Sequence, residues 1–427
     1  MLLLACTFLV LSTTAVPVIR TATEQRHSIH TKIIPGAERL DLYLPRIKGK
    51  RVAVFANHTA VIGQQNLVDV LKQKGVNITV IFGPEHGFRG TADAGEKVGN
   101  YTDAETGIPV VSLYGSKHRP SAEDLKEVDV MLFDIQDVGT RFYTFISSLE
   151  EYMEAAIENK KPLIILDRPN PNSFYVDGPV LDKKFRSFVG MQPVPIVYGM
   201  TVGEYAYMLL GEKWLSKPVT AAINIPVSPE RAATEKRRAP VNPNGFSLTI
   251  IPCSNYTHSS TYVLPVKPSP NLPDNKAIYC YPSTCFFEGT ILSEGRGTDK
   301  PFRLFGHPSL PNTLISFTPH GQPGATNPKL KDKLCYGWEL EGTPAALLSK
   351  TNKRIQIKYL LEAYRLFPNK DSFFLNKGVF FNKLAGNDVL IQQVKDGKSE
   401  VEIRQSWEPA LGRFKKTRKK YLIYKDF

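Results

Sequence analysis

At 427 residues the chain is longer than one hydrophobic core comfortably fills, which predicts two domains. Hydrophobic residues at 42% and charged residues at 22% fit a globular protein, and no internal stretch offers the roughly 20 apolar residues of a membrane-spanning helix. The net charge of +13 gathers at 413–425 and 231–238, where it reads as solvated faces with some attraction for an acidic envelope polymer rather than as a nucleic-acid site.

In chain order, residues 1–16 are apolar and 20–32 polar, the pattern of an export segment without the usual positive start, and the expected location is the periplasm or the envelope surface. Leu3-Leu4-Ala5-Cys6 is similar to a lipoprotein box that would be acylated at Cys6, a reading that needs a longer start upstream. The domains are then placed at 1–30 for the export segment, 31–250 for an α/β domain and 251–427 for a smaller α+β domain.

Five apolar runs follow: 51–56, 77–82, 109–113, 129–133 and 162–166. Each is short, rich in Val, Ile, Leu and Phe, and bounded by turn residues, as buried strands are. Helical patterns lie at 67–74, 121–128, 144–159 and 201–215, the second opening on the cap-like Ser121-Ala122-Glu123-Asp124. Strands alternating with helices predict an α/β fold with a mostly parallel sheet. The Pro-rich 265–273 and the basic 229–238 read as connections.

The strands leave through polar residues. Asn57-His58-Thr59 follows the first, Gly83-Pro84-Glu85-His86-Gly87-Phe88-Arg89-Gly90 the second and Tyr114-Gly115 the third. Asp134-Ile135-Gln136-Asp137, continuing to Arg141 and Tyr143, follows the fourth, and Asp167-Arg168-Pro169-Asn170 the fifth. Ligands of open parallel sheets bind outside the carboxyl ends of the strands, so these residues are the candidate site. Taken singly, an Asp there is more often a helix cap, His58 a satisfied imidazole and Arg168 a partner of Asp167. Taken together, five polar exits on one edge point to a ligand. A second polar block, 287–302, puts Glu294 and Arg296 between glycines and facing the same crevice. C-x-x-C, H-E-x-x-H, G-x-S-x-G and G-x-G-x-x-G are all absent, so neither metal nor cofactor is expected.

The chain resembles the NamZ family of bacterial exo-β-N-acetylmuramidases over nearly its whole length. The resemblance is carried by the Gly83–Gly90 block, Thr106-Gly107-Ile108-Pro109-Val110-Val111-Ser112-Leu113-Tyr114-Gly115, Phe133-Asp134-Ile135-Gln136-Asp137-Val138-Gly139-Thr140-Arg141-Phe142-Tyr143-Thr144, Leu166-Asp167-Arg168-Pro169-Asn170-Pro171, Pro268-Ser269-Pro270-Asn271-Leu272-Pro273 and Ser293-Glu294-Gly295-Arg296-Gly297-Thr298. It implies a Rossmann-like first domain, a smaller second one and a cleft between them. It further implies release of N-acetylmuramic acid from the non-reducing ends of peptidoglycan fragments, with Glu85 as the leading catalytic residue. Where relatives carry a His before Gly-Met-Thr, this chain has Tyr198, a departure that bears on substrate preference.

Glycoside hydrolysis takes two groups, one protonating the departing oxygen and one acting at the anomeric carbon. Glu85 is the expected general acid, and Asp134 or Asp137 the second carboxylate, with Glu294 behind them. Muramic acid carries a lactyl carboxylate, for which Arg89, Arg141, Arg168 and Arg296 are the candidate guanidinium partners. Asn57, His86, Tyr114 and Asp167 complete the expected binding residues. The competing readings are a noncatalytic glycan-binding protein using the same cleft, and an exported enzyme of other chemistry such as an esterase or amidase.

Overall fold

Both faces of Arg51–Ala56 (β1) are covered, which is why its apolar run is unbroken. Val52, Val54 and Ala56 pack with Tyr43, Leu67 and Leu71 on one side, while Ala53 and Phe55 join Phe133 and Tyr152 on the other. Phe55 stacks on Phe133 at 4.8 Å between ring centroids, and burying one such ring contributes roughly 2–3 kcal/mol.

The computed structural model describes residues 32–90, 99–216, 219 and 246–427. The export segment with Cys6, and the basic connection at 229–238, lie outside the described residues. Residues 33–427 form one compact unit. Its first elements are Leu40–Ile47 (α1), β1, a hairpin of Val61–Ile62 (β2) and Gln65–Asn66 (β3), and Leu67–Gln73 (α2). Asn66 caps α2 by accepting a hydrogen bond from the Val68 amide at 3.0 Å.

The remaining strands of the large sheet are Asn77–Gly83 (β4), Tyr101–Thr102 (β5), Pro109–Ser112 (β6), Val130–Asp134 (β7), Leu163–Leu166 (β8) and Leu248–Ile251 (β9). Their order is β5-β6-β4-β1-β7-β8-β9, parallel except where β5 meets β6. Numbered along the chain, the parallel strands run 3-2-1-4-5-6, the doubly wound Rossmann order, whose reversal lies between β1 and β7. All five expected strands are present. β9 was not among them: it pairs with β8 from Leu163↔Leu248 to Leu166↔Ile251, extending the parallel sheet past the point where the alternation fades in the sequence.

With α2, Phe145–Glu158 (α3) and Val202–Gly211 (α4) bear out three of the four helical patterns. α4 opens with a capping box, in which the Thr201 amide donates to Glu204 at 2.9 Å and the Glu204 amide to Thr201 Oγ1 at 3.3 Å. The helix expected at 121–128 is instead a run of turns. The Ser121 amide and hydroxyl do bind Asp124, at 2.6 and 2.7 Å. The backbone then makes bonds three residues apart, such as Leu125 to Ala122 at 3.2 Å, and enters β7 before a helix can propagate.

The C-terminal part is mixed α+β. Asn275–Thr284 (α5) precedes an antiparallel sheet of Leu304–His307 (β10), Ile315–Phe317 (β11) and Cys335–Glu339 (β12), ordered β10-β12-β11. Pro344–Thr351 (α6), Lys358–Leu366 (α7), Lys370–Phe373 (α8), Val379–Ala385 (α9), Val389–Lys395 (α10) and Glu400–Arg418 (α11) follow. Arg418 ends α11 by donating to Gly199 O and Asp426, and His258 bridges Asp426 to Glu204 of α4. That buried charged network fastens the chain's end to the sheet domain.

Candidate active site

At the switch between β1 and β7, where a dinucleotide fold keeps its crevice, this protein is filled by its own side chains. Arg168 donates from Nε and Nη2 to the two oxygens of Asp134, at 2.5 and 2.8 Å, and Nη2 also reaches Val61 O at 2.9 Å. Neither residue of the pair is solvated. Burial works against the guanidinium charge, but Asp134 outweighs it and holds Arg168 above its ordinary range. Asn57, also fully buried, accepts from the Thr59 amide and hydroxyl at 2.9 and 2.6 Å, and Thr59 accepts from the Gln136 amide at 3.0 Å. These strand exits are braced to one another.

The cavity lies to one side, over the exits of β4 and β6, and has a volume of about 450 Å³, within the usual range for small-molecule sites. Glu85 and His86 line it from the turn after β4. The turn is closed by Gly87 N to Pro84 O at 3.0 Å, and His86 takes a left-handed φ of 69°, a conformation that costs a non-glycine residue about 1–3 kcal/mol and recurs at functional sites. Leu113 N bonds Gly83 O at 2.8 Å, drawing the end of β6 against β4 and placing Tyr114 beside Glu85. The Tyr114 hydroxyl is hydrogen-bonded to Glu85. Burial first, and the Glu85 charge second, push that hydroxyl well above its ordinary range, so it stays a neutral donor.

Much of the remaining wall is aromatic. Tyr143 meets Phe145 and Tyr281 edge-on, and Tyr281 meets Phe302 at 4.7 Å. Tyr143 donates to Pro268 O at 2.8 Å, fixing the ring. Burial, then the charge of Asp137, raise the Tyr143 hydroxyl above its usual range, with Glu85 adding to the effect. His118 stacks on Phe188 at 4.2 Å and Phe380 stands half-exposed, all three lining the same cavity.

A charged cluster lies on the wall contributed by the chain after α5. The loop that carries Arg296 has glycines on both sides at φ of 79° and 80°. A Cβ on Gly295 would come 2.7 Å from Leu304 O, and one on Gly297 2.5 Å from His320 O, so neither position admits a side chain. Arg296 pairs with Glu288 at 2.5 Å and Glu294 at 3.2 Å, and its guanidinium lies 5.2 Å from the Phe302 ring centre. Lys329 Nζ lies 2.7 Å from the other oxygen of Glu294. Burial opposes the Arg296 charge, yet Glu288 and Glu294 keep it fully protonated. Burial would also raise Glu294, but Lys329 and Arg296 outweigh it and hold Glu294 ionised. Glu288 moves the other way, raised by burial and by the Glu294 charge against Arg296.

Of the expected site residues, the fold therefore brings Glu85, His86, Tyr114 and Arg296 to one cavity, with Glu294 anchoring Arg296. The others have different surroundings. Arg89 binds Asp69 and Asp103 at a separate polar depression that also contains His58 and Lys72. Arg141 is fully buried and donates to the carbonyls of Pro179, Val194 and Leu384 at 2.8–2.9 Å, with burial pushing it down to about 9. Asp167 sits at the start of α4, accepting from Thr201 Oγ1 at 2.7 Å, the Gly203 amide at 2.9 Å and the Tyr424 hydroxyl at 2.6 Å; burial pushes it up to about 6. Asp137 accepts from the Gly139 amide at 2.6 Å and from Tyr198, and burial pushes it up to about 7. Tyr198 is thus the buried partner of Asp137.

Sequence reasoning passed over Glu288, Lys329 and the aromatic wall. Glu288 stands beside Gly289 in the same polar block as Glu294 and Arg296, a signal that was available. Lys329 had none, since its role follows from a contact between segments 35 residues apart in the chain.

The chain matches the model "Exo-beta-N-acetylmuramidase NamZ, N-terminal" over residues 52–276 and its C-terminal counterpart over 279–424. It is 39% identical over 396 residues to the peptidoglycan β-N-acetylmuramidase NamZ of Bacillus subtilis (strain 168), covering 90% of this chain and 89% of that protein. Two crystal structures of DUF1343 family proteins from Bacteroides fragilis NCTC 9343 are also similar. One is 42% identical with a TM-score of 0.79, covering 93% of this chain and all of the other; the second is 26% identical with a TM-score of 0.73, covering 92% and 99%. The two family matches and the 39% identity to a peptidoglycan β-N-acetylmuramidase make this chain a glycoside hydrolase. The chain belongs to the NamZ exo-β-N-acetylmuramidase family.

Proposed function

We propose that this enzyme releases N-acetylmuramic acid from the non-reducing ends of peptidoglycan fragments, with Glu85 as the general acid. One observation carries the assignment of Glu85: it lines an aromatic-walled cavity and is hydrogen-bonded to the hydroxyl of the half-buried Tyr114. Family membership and the 39% identity to a peptidoglycan β-N-acetylmuramidase support the substrate.

In this reading the aromatic wall packs the sugar ring and excludes water, which strengthens each polar contact inside. Glu85 gives its proton to the glycosidic oxygen as the bond to the anomeric carbon breaks. Tyr114, a neutral donor beside Glu85, stabilises the carboxylate that remains. Arg296 lines the same cavity, which supports it as the guanidinium that meets the lactyl carboxylate of muramic acid. Nothing in this chemistry calls for a metal or cofactor. The apolar segment at 1–16 supports export, which would put the enzyme where such fragments arise.

The test is product analysis on a disaccharide with N-acetylmuramic acid at its non-reducing end. Release of the free sugar by the wild type, and its near-complete loss in Glu85→Gln, are expected. Binding without release would support the noncatalytic reading.

A further inference from the structure

Hydrolysis of a glycoside takes a group at the anomeric carbon, from the protein or from the substrate's own acetamido carbonyl, as well as one at the leaving oxygen. The acidic side chains around the site differ in what already holds them. Asp134 is solvent-inaccessible, with both oxygens on Arg168. Asp137 is buried, with one oxygen on Gly139 and Tyr198. Glu294 is buried between two cations, one at each oxygen. Glu288 differs from all three: it lines the cavity itself, and among the described residues its one ion-pair partner, Arg296, is shared with Glu294.

The supporting structure favours a carboxylate held in one place. Glu288 sits in the 3-10 turn Cys285–Gly289 that follows α5. Gly289 packs so closely on Phe381 that a Cβ would meet its Cα at 2.6 Å. Lys329 Nζ donates to the carbonyls of Phe287 and Thr290, at 2.6 and 3.1 Å, on either side of that glutamate. Arg296 fixes the carboxylate directly at 2.5 Å. Two cations and two carboxylates make the cluster neutral, so Glu288 is held without an excess of positive charge to suppress its basicity.

We propose that Glu288 is the second catalytic carboxylate, acting at the anomeric carbon while Glu85 acts at the leaving oxygen, and that Arg296 is its positioning residue. This rests on the glycosidase reading of the cavity given above. As Glu85 transfers its proton to the glycosidic oxygen, the electron pair of the breaking bond stays with the departing alcohol. The balancing electron pair comes from a Glu288 oxygen in one arm and from water in the other. In a covalent arm the Glu288 oxygen bonds the anomeric carbon, and water later displaces it while Glu85 recovers a proton. In a water arm Glu288 takes a proton from the attacking water and the sugar leaves directly. One water is consumed either way, and no other reactant is required.

The experiment compares Glu85→Gln, Glu288→Gln and Glu288→Ala on the muramyl disaccharide and on a 2,4-dinitrophenyl β-muramoside, whose leaving group needs no proton. Glu85→Gln should lose the disaccharide far more than the aryl substrate. Both Glu288 variants should lose kcat on both substrates by at least about 100-fold, with KM changed only a few-fold. Azide should restore turnover of the aryl substrate by Glu288→Ala and give the α-muramyl azide in either arm, and the anomer of the muramic acid first released by wild type, β in the covalent arm and α in the water arm, separates the two. Aryl turnover within about 3-fold of wild type in either Glu288 variant overturns the proposal. So does a loss that azide leaves untouched in a variant that melts and binds muramic acid like wild type. Should Glu288→Ala fail to fold, the near-isosteric Glu288→Gln decides through its kcat and through loss of one limb of the pH profile. A wild type that releases no muramic acid from either substrate refutes the functional reading itself, whereas an active wild type indifferent to Glu288 refutes only this step.

Discussion

Arg168 holds both oxygens of Asp134, at 2.5 and 2.8 Å, where the strand order of the sheet reverses. The position that binds a dinucleotide in other Rossmann-like proteins is here a sealed ion pair, and the candidate cavity lies over the exits of β4 and β6. Breaking the pair leaves one buried charge uncompensated. Asp134→Asn or Arg168→Met should each destabilise the fold by roughly 3–5 kcal/mol, read as a lowered denaturant midpoint. Replacing both residues with apolar ones should recover much of that loss. An unchanged midpoint with a collapsed kcat in Asp134→Asn would return this residue to the catalytic machinery.

Burial places three carboxyls well above their ordinary values: Asp137 at about 7, Glu150 at about 7 and Asp167 at about 6. A group raised in the folded state binds its proton more tightly there than in the unfolded chain. Its contribution to stability is complete below the unfolded value of about 4 and is lost as pH rises through the folded value. The protein should therefore be less stable at pH 8 than at pH 5.5, and Asp137→Asn should flatten that slope. Urea midpoints at the two pH values check it, and an unaltered slope in the variant would contradict it.

The apolar runs made five of the seven sheet strands legible, because strands covered on both faces need uniform hydrophobicity. β9 was not, since four residues after a basic, Pro-rich stretch carry too little pattern. The cap-like signal at Ser121 marked a real hydrogen-bonding turn but said nothing of how far a helix would run. The polar exits were harder to judge. An Asp or Arg at a strand end looks the same whether it meets a ligand or a partner from the next strand, and only tertiary pairing separates Asp134 and Arg168 from Glu85 and Tyr114. Arg296 was readable from its flanking glycines, whereas Glu288 needed the contact with Arg296 to stand out.

Arg296 should govern discrimination for the lactyl group. Arg296→Gln is expected to lower kcat/KM for an aryl β-N-acetylmuramide by about 100-fold or more, and to reduce the preference over the matching N-acetylglucosaminide, which lacks that carboxylate. Arg296→Lys should recover little, because a point charge cannot reproduce the paired donors that hold Glu288 and Glu294. An unchanged substrate ratio would remove Arg296 from recognition.

Gly297 keeps the Arg296 loop in place at φ 80°, with His320 O 2.5 Å from where a Cβ would stand. Gly297→Ala should cost about 1–3 kcal/mol of stability, read as a lower melting temperature, and reduce kcat at temperatures where the variant is still folded. Gly49 has φ 75° with no neighbour within 4 Å of the added Cβ, so Gly49→Ala should carry the backbone strain without the loss of activity. Equal turnover by the two variants would contradict the account.

The most direct measurement is kcat/KM of wild type and Glu85→Gln on a muramyl-terminated disaccharide, with melting temperatures measured alongside. The account predicts free N-acetylmuramic acid from the wild type, and a fall of about 10²–10⁴-fold in the variant without loss of fold. Comparable hydrolysis by a folded Glu85→Gln would contradict it.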